Sequence, residues 1–471
     1  LLLRHIAARQ KKGHVMTLND KIKYLSTPLP EDIQSCIQSG FFDQAISLID
    51  SRLASGCPEA LQGRLELEKI RLIHLPEDFP YSYPQALALI RDTIPSFTEE
   101  EFRTLEMAGR IDFIFVNGEK RYFRRFFETL IATHPDIAAR SNPALAAESA
   151  RTAEFRRETI RQLKEKGILQ YHIHIQAGLE VKDGYFRPGR EMVVHLPVPK
   201  EEYPSSNVRI LRTSHIPSSL EPVHAPARTV SFREKLMENE GFWVEYEYDS
   251  TIRYQQSDPA LVSSEQPDFE IQELLPHIQF TPFLRSLAAD IIGEETNPLE
   301  KARRIYDYIT TTIKYSYMKE YFMLQCIPEY CAVNRKGDCG VQALLFITLC
   351  RIAGIPARWQ SGLSATPDSI GPHDWAQFYI APFGWLHADL SFGGSAFRAG
   401  DEERRRFYFC NLDPFRMVAN TEFQAPLSPV KQGLRADPYD NQVGECEIDG
   451  IGLYGTQFDY YHKMIDIHPI P

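Results

Sequence analysis

Two spacings of apolar and polar residues divide the chain. From about residue 20 to 166, apolar residues recur at intervals of three and four with charges between them, as in FFDQAISLIDSRLA and ALQGRLELEKIRLI. This spacing predicts amphipathic helices, and Gly167 after SARTAEFRRETIRQLKEK is a natural terminator for the last of them. At Ile168 the period changes to two. YHIHIQAGLEV, REMVVHLPVP, SNVRILRTSHIP and FWVEYEYDSTIRYQQ alternate apolar or aromatic residues with polar ones, and Pro/Ser clusters separate them. Several short strands in succession predict a small β-sandwich. The segment SSEQPDFEIQELLPHIQFTPF then reads as a linker with turns. Beyond it, Asn297 and Pro298 open a helix whose buried stripe is Ala302, Ile305, Ile309 and Ile313.

Three units are therefore expected: helices over 1–166, a β-sandwich over 167–262 and a third domain over 263–471. A chain of 471 residues is too long for one core. The helical unit is expected to be separable from the rest. The tail, NLDPFRMVANTEF and DPYDNQVGECE, carries strand and turn signals and is expected to wrap the third domain. Asp401 to Arg406 reads as a solvated charged loop.

Net charge is −11, and no Lys/Arg-rich stripe is present, which argues against nucleic acid or an anionic membrane as partner. No apolar run is long enough to span a bilayer. The opening LLLRHIAARQKKGH has three apolar residues before Arg4 and His5, so it does not read as a signal peptide. The eight cysteines lack the spacing of a disulfide scaffold, and reduced thiols in a cytoplasmic protein are expected. His172, His174 and His195 fall on predicted strands without a Cys or carboxylate cluster, and are read as solvent-facing.

The chemistry gathers after Gly337. In GDCGVQALLFITLCRIAGIPAR an apolar helix runs to Gly354, with Asp338 as its N-cap and Cys339 in its first turn. Free N–H groups and the helix dipole at that end are expected to stabilise a thiolate and lower the pKa of Cys339. Downstream, HDWAQFYI and WLHADL alternate as two strands joined by APFG. Folding that hairpin puts Asp389 opposite or diagonal to His373, within reach of a cross-strand contact. A carboxylate that holds one imidazole nitrogen leaves the other for sulfur. His387, on the face that carries Asp389, is a rival base.

These three motifs, in this order, resemble the core of the transglutaminase-like superfamily, which is papain-like in chemistry, and most resemble its bacterial type. The resemblance implies an α+β catalytic core: a cysteine-bearing helix packed on an antiparallel sheet, here preceded by the sandwich and the helical region. It implies a catalytic Cys339–His373–Asp389 triad and acyl transfer through a thioester, with no cofactor. It also implies a side chain upstream of the cysteine as oxyanion donor. Tyr315 is the first candidate, before Tyr317 and Gln325, and Trp359 and Trp375 are expected to wall the cleft. The expected substrate is a peptide or protein amide, and the expected activity that of a cysteine peptidase or amidase. The alternatives are a protein-glutamine transamidase, a zinc-containing N-glycanase built around Cys326 and Cys331, and a non-catalytic interaction protein.

Overall fold

The computed structural model describes residues 18–433, 435 and 441–471; the opening segment read above, and part of DPYDNQVGECE, lie outside them. Helices dominate up to Lys166, from Glu31–Gln38 to the long Pro143–Lys166, which ends on Gly167 in the left-handed region. One hairpin interrupts them. Phe113–Val116 pairs with Glu119–Tyr122 across Asn117 and Gly118, both at positive φ. Asn-Gly between strand-forming residues is the strongest short hairpin signal, and the helical spacing on either side obscures it.

The helical region, expected to stand apart, shares a buried core with the third domain. Leu25, Leu67, Ile160 and Leu163 lie in one buried cluster with Ile305, Leu344 and Phe346 of the third domain. Arg71 also donates to the Met323 carbonyl (2.6 Å), and Tyr454 to Asp78 (2.6 Å). An amphipathic helix needs a second surface for its apolar face, and here the third domain supplies it.

Two antiparallel sheets form the sandwich. Residues 167–262 provide most of their strands, but Glu445–Ile448 pairs with Met192–Pro197, and Phe458–Pro469 runs along Ile168–Val181. The tail thus completes both sheets instead of only wrapping the third domain. His195 is buried there instead of facing solvent: its Nε2 lies 2.9 Å from the Pro429 carbonyl, and burial pushes its pKa down to about 4. His172 and His174 remain partly exposed, against Asp249 and Glu245.

A third sheet carries the chemistry. Its order is Phe409–Cys410, Gly384–Ala388, Ser369–Ile380, Ala357–Thr366, Arg416–Asn420, with every neighbour antiparallel. The buried helix Cys339–Ile352 packs on it, Phe346 meeting Phe378 edge-on at 5.6 Å between ring centroids. The expected solvated loop after Asp401 is a short helix, Glu402–Phe407, capped by Asp401 and burying Arg404.

Candidate active site

Asp338 caps the cysteine helix as its sequence predicts, its carboxylate accepting from the Val341 amide at 3.0 Å. Cys339 opens the first turn and is partly exposed. Gly340 follows because nothing larger fits: a Cβ there would stand 2.1 Å from the Tyr321 hydroxyl and 2.7 Å from Asp374 Oδ2.

The strand Ser369–Ile380 and the strand Gly384–Ala388 pair from Ile380↔Gly384 to Ala376↔Ala388. One more step in that register sets Asp389 level with Trp375 and diagonal to His373. Asp389 is also the N-cap of the helix Leu390–Arg398, accepting from the Phe392 amide at 2.9 Å. Its other oxygen lies 2.7 Å from His373 Nε2, and both side chains are buried. Bonding through Nε2 leaves Nδ1 of His373 for another partner.

Residues 285–390, which hold Cys339, His373 and Asp389, match the family described as "Transglutaminase-like superfamily". The chain carries a transglutaminase-like domain. An "Uncharacterized protein" of Haemophilus influenzae is 29% identical over 150 residues, a match covering 26% of this chain and 40% of that relative's length. Among solved structures, the "Putative Cysteine Protease" from Cytophaga hutchinsonii aligns at 15% identity and a TM-score of 0.40, over 64% of this chain and 91% of its own. The periplasmic domain of TgpA from Pseudomonas aeruginosa aligns at 15% identity and a TM-score of 0.27, over 54% and 96%.

Within the transglutaminase-like domain, the Cys339 thiol donates to Asp374 Oδ2 at 3.3 Å, and its sulfur also accepts from the Asp374 backbone amide. It therefore rests at the His373–Asp374 peptide, on the carboxylate side. Burial, then Asp374, then Asp338 push its pKa well above the ordinary thiol value. This corrects the expectation of a helix-stabilised thiolate. The cap that starts the helix takes the Val341 N–H and brings its own charge, so the dipole meets two carboxylates at the sulfur. Asp338 is itself pushed up to about 6 by burial, against the 2.6 Å hydrogen bond it accepts from Tyr321.

His373 is pulled the other way from an imidazolium. Burial lowers its pKa, Asp389 opposes that, and Arg416 adds to it. The resting pair is a neutral thiol and a neutral imidazole. Asp389 stays ionised: burial works against its charge, but His373 and Arg416 outweigh burial and hold its pKa below the carboxylate range. Arg416 is fully buried, with one terminal nitrogen 2.9 Å from Asp389 Oδ2 and the other 2.7 Å from Asp413. Phe392 stacks on the His373 ring at 4.3 Å and on the Arg416 guanidinium at 4.7 Å.

Tyr315 forms a parallel bridge with Gly337, two residues before the cysteine, and Cys339 lies within its electrostatic reach. Tyr317 packs edge-on against it at 5.5 Å and is covered by Arg125 of the helical region. Gln325 is elsewhere, donating to the Leu25 carbonyl at 3.2 Å. Trp359 and Trp375 are 2% and 0% exposed, so they floor the site from the core and do not wall an open cleft. Trp375 donates to Gln360 Oε1 at 2.5 Å. His387 is buried against Gln377 Nε2 at 3.0 Å and pushed down to about 3, by burial first and then Arg416 and Arg358.

Cys326 contacts the His277 carbonyl at 3.6 Å, while Cys331 lies in the core under Gly337, and no group of three or more His, Cys, Asp or Glu is arranged to hold a metal among the described residues. No described helix is long and apolar enough to cross a membrane. Four residues packed around the candidate site escaped sequence reasoning: Asp374, Tyr321, Arg416, and Gln442, whose amide donates to Asp374 Oδ1 at 2.5 Å.

The resting contact makes a pH prediction. Replacing Asp374 by asparagine removes one of the two carboxylates that disfavour the thiolate, so the pKa of Cys339 falls. Iodoacetamide alkylation of Cys339, followed by peptide mapping across pH, should then set in at lower pH in Asp374→Asn than in the parent. An unchanged profile would mean that Asp374 does not govern the thiol.

Proposed function

We propose that this protein is a cysteine-dependent acyl-transfer enzyme that cleaves an amide or peptide bond through a Cys339–His373–Asp389 triad. The observation that carries this reading is the buried 2.7 Å contact of His373 Nε2 with an Asp389 held ionised by Arg416. A fixed carboxylate on one imidazole nitrogen sets the tautomer and keeps the other available as base.

On this reading the amide substrate displaces the thiol from Asp374 toward His373. Nδ1 of His373 accepts the thiol proton as sulfur attacks the carbonyl carbon, and the C–S bond forms while the carbonyl π pair moves to oxygen. The Cys339 amide, at the start of its helix, and Tyr315 are the candidate donors to that oxyanion. Collapse of the intermediate breaks the C–N bond, and His373 returns the proton to the leaving amine. Water then attacks the thioester, again with His373 as base, giving acid and free thiol. A neutral imidazole is the form this route needs, and burial supplies it near neutral pH.

Hydrolysis is favoured over transamidation because Trp359 and Trp375, expected to wall the cleft, lie in the core, and Cys339 is partly exposed. A partition experiment tests this. With a glutamine-containing peptide as acyl donor and excess primary amine, free acid should exceed amide product; dominant amide at millimolar amine would make the protein a transglutaminase.

A further inference from the structure

We propose that Gln342 is a positioning residue that fixes the backbone turn presenting the two candidate oxyanion donors, the Cys339 amide and Tyr315. This rests on the reading of Cys339 as nucleophile. Gln342 lies about one turn beyond Cys339 on the same helix and is 1% exposed. Its neighbours Val341, Ala343, Leu344 and Leu345 are apolar and buried. Nε2 of Gln342 donates to the Gly337 carbonyl at 2.8 Å, while Oε1 is buried with no hydrogen-bond partner among the described residues. The amide cannot sit the other way round, because a carbonyl only accepts. A buried oxygen left unpaired destabilises the fold relative to an apolar side chain of the same size. What the side chain makes is one contact, and that contact is with the turn before the nucleophile.

The turn needs that hold. Gly337 has no room for a side chain: a Cβ there would stand 2.4 Å from Val341 Cγ1 and 2.9 Å from its Cβ. Glycine restrains its own backbone poorly, so the restraint comes from outside the residue. The Gly337 carbonyl accepts twice, from Gln342 Nε2 and from the Ser316 amide at 3.2 Å. Ser316 follows Tyr315, which pairs with Gly337 as a parallel strand. One oxygen therefore ties the strand of Tyr315 to the helix of Cys339. The next residue is held from its side chain: the Asp338 carboxylate accepts from the Val341 amide at 3.0 Å and from Tyr321 at 2.6 Å. With both residues fixed, the direction of the Cys339 N–H and its separation from Tyr315 are set before substrate arrives. Donors already in place when charge develops stabilise an oxyanion most, so freedom at Gly337 slows acyl transfer in particular.

The test compares two reactions of Cys339 in the full chain. With p-nitrophenyl acetate, sulfur forms a C–S bond to the carbonyl carbon, an oxyanion develops, and the C–O bond breaks to release p-nitrophenolate. With iodoacetamide, sulfur displaces iodide at a saturated carbon and no oxyanion forms. In Gln342→Met, acylation of Cys339, located by peptide mass and timed by the first release of p-nitrophenolate, should slow by about 10- to 100-fold. Alkylation of Cys339 should keep the parent's rate, and the melting temperature should equal or exceed the parent's, since the unpaired oxygen is gone. Gln342→Leu serves as a second variant. Unchanged acylation in either folded variant would overturn the proposal. Acylation and alkylation slowed by one factor would do the same, because Gln342 would then support the thiol alone. So would failure of both variants to fold, which would make the amide a requirement of the core. A parent that is alkylated but never acylated at Cys339 would instead remove the acyl-transfer reading itself.

Discussion

Cys339→Ala should lower amide turnover by about 10⁴-fold or more, with thermal stability nearly unchanged. Cys339 is partly exposed and its thiol donates to Asp374, so little packing is lost with the sulfur. His373→Ala should cost about as much as Cys339→Ala, and the double variant little more, because the members of a triad act as one unit. His387→Ala should cost far less. Its ring is buried against Gln377, and burial holds it in the neutral form. Turnover of the best peptide donor from the partition experiment, measured beside melting curves, distinguishes these. Equal losses for His387→Ala and His373→Ala would make His373 the wrong base.

Arg416→Leu should destabilise the fold by about 3–5 kcal/mol, the cost of leaving a buried charge without its partner. Here two carboxylates, Asp389 and Asp413, would be left, both buried and both held below their ordinary values by Arg416 among others. The pH dependence follows from the same signs. A carboxyl with a depressed folded pKa contributes stability above its unfolded value near 4, and that stability is lost as pH falls toward the folded value. Urea unfolding at neutral pH should show the loss in Arg416→Leu, and lowering the pH below about 4 should narrow the gap to the parent as the carboxyls protonate. A variant as stable as the parent at neutral pH would show that the carboxylates do not depend on this guanidinium.

Much of the site was legible because its logic is local. Asp338 before an apolar helix, and alternation on either side of APFG, set the cap and the hairpin without knowledge of the rest of the chain. The diagonal relation of His373 and Asp389 follows from that hairpin alone. Asp374 was hidden by adjacency: it stands beside a histidine of evident interest, and only the packed helix reveals Cys339 as its neighbour. Arg416 had a signal, a lone cation in the apolar run FRMVA, but its partners are distant in sequence. Gln442 and Tyr321 had none. The proton state of the thiol was misread for a related reason. A helix N-terminus lowers a thiol's pKa when its amides are free, and whether they are free depends on tertiary burial and on the cap itself. At the scale of domains, contiguous blocks were read where the chain returns: a period-two tail cannot announce that its partners are Met192–Pro197 and Ile168–Val181.

The central claim, that Cys339 is a nucleophile activated by His373, is tested most directly by trapping the acyl-enzyme. An activated-ester or amide-mimic acyl donor is incubated with the full chain, quenched in acid, and mapped by peptide mass spectrometry. The predicted result is one acyl group per chain, on Cys339, formed much more slowly in His373→Ala and absent in Cys339→Ala. Acylation at another residue, or on Cys339 at the same rate with and without His373, would contradict it.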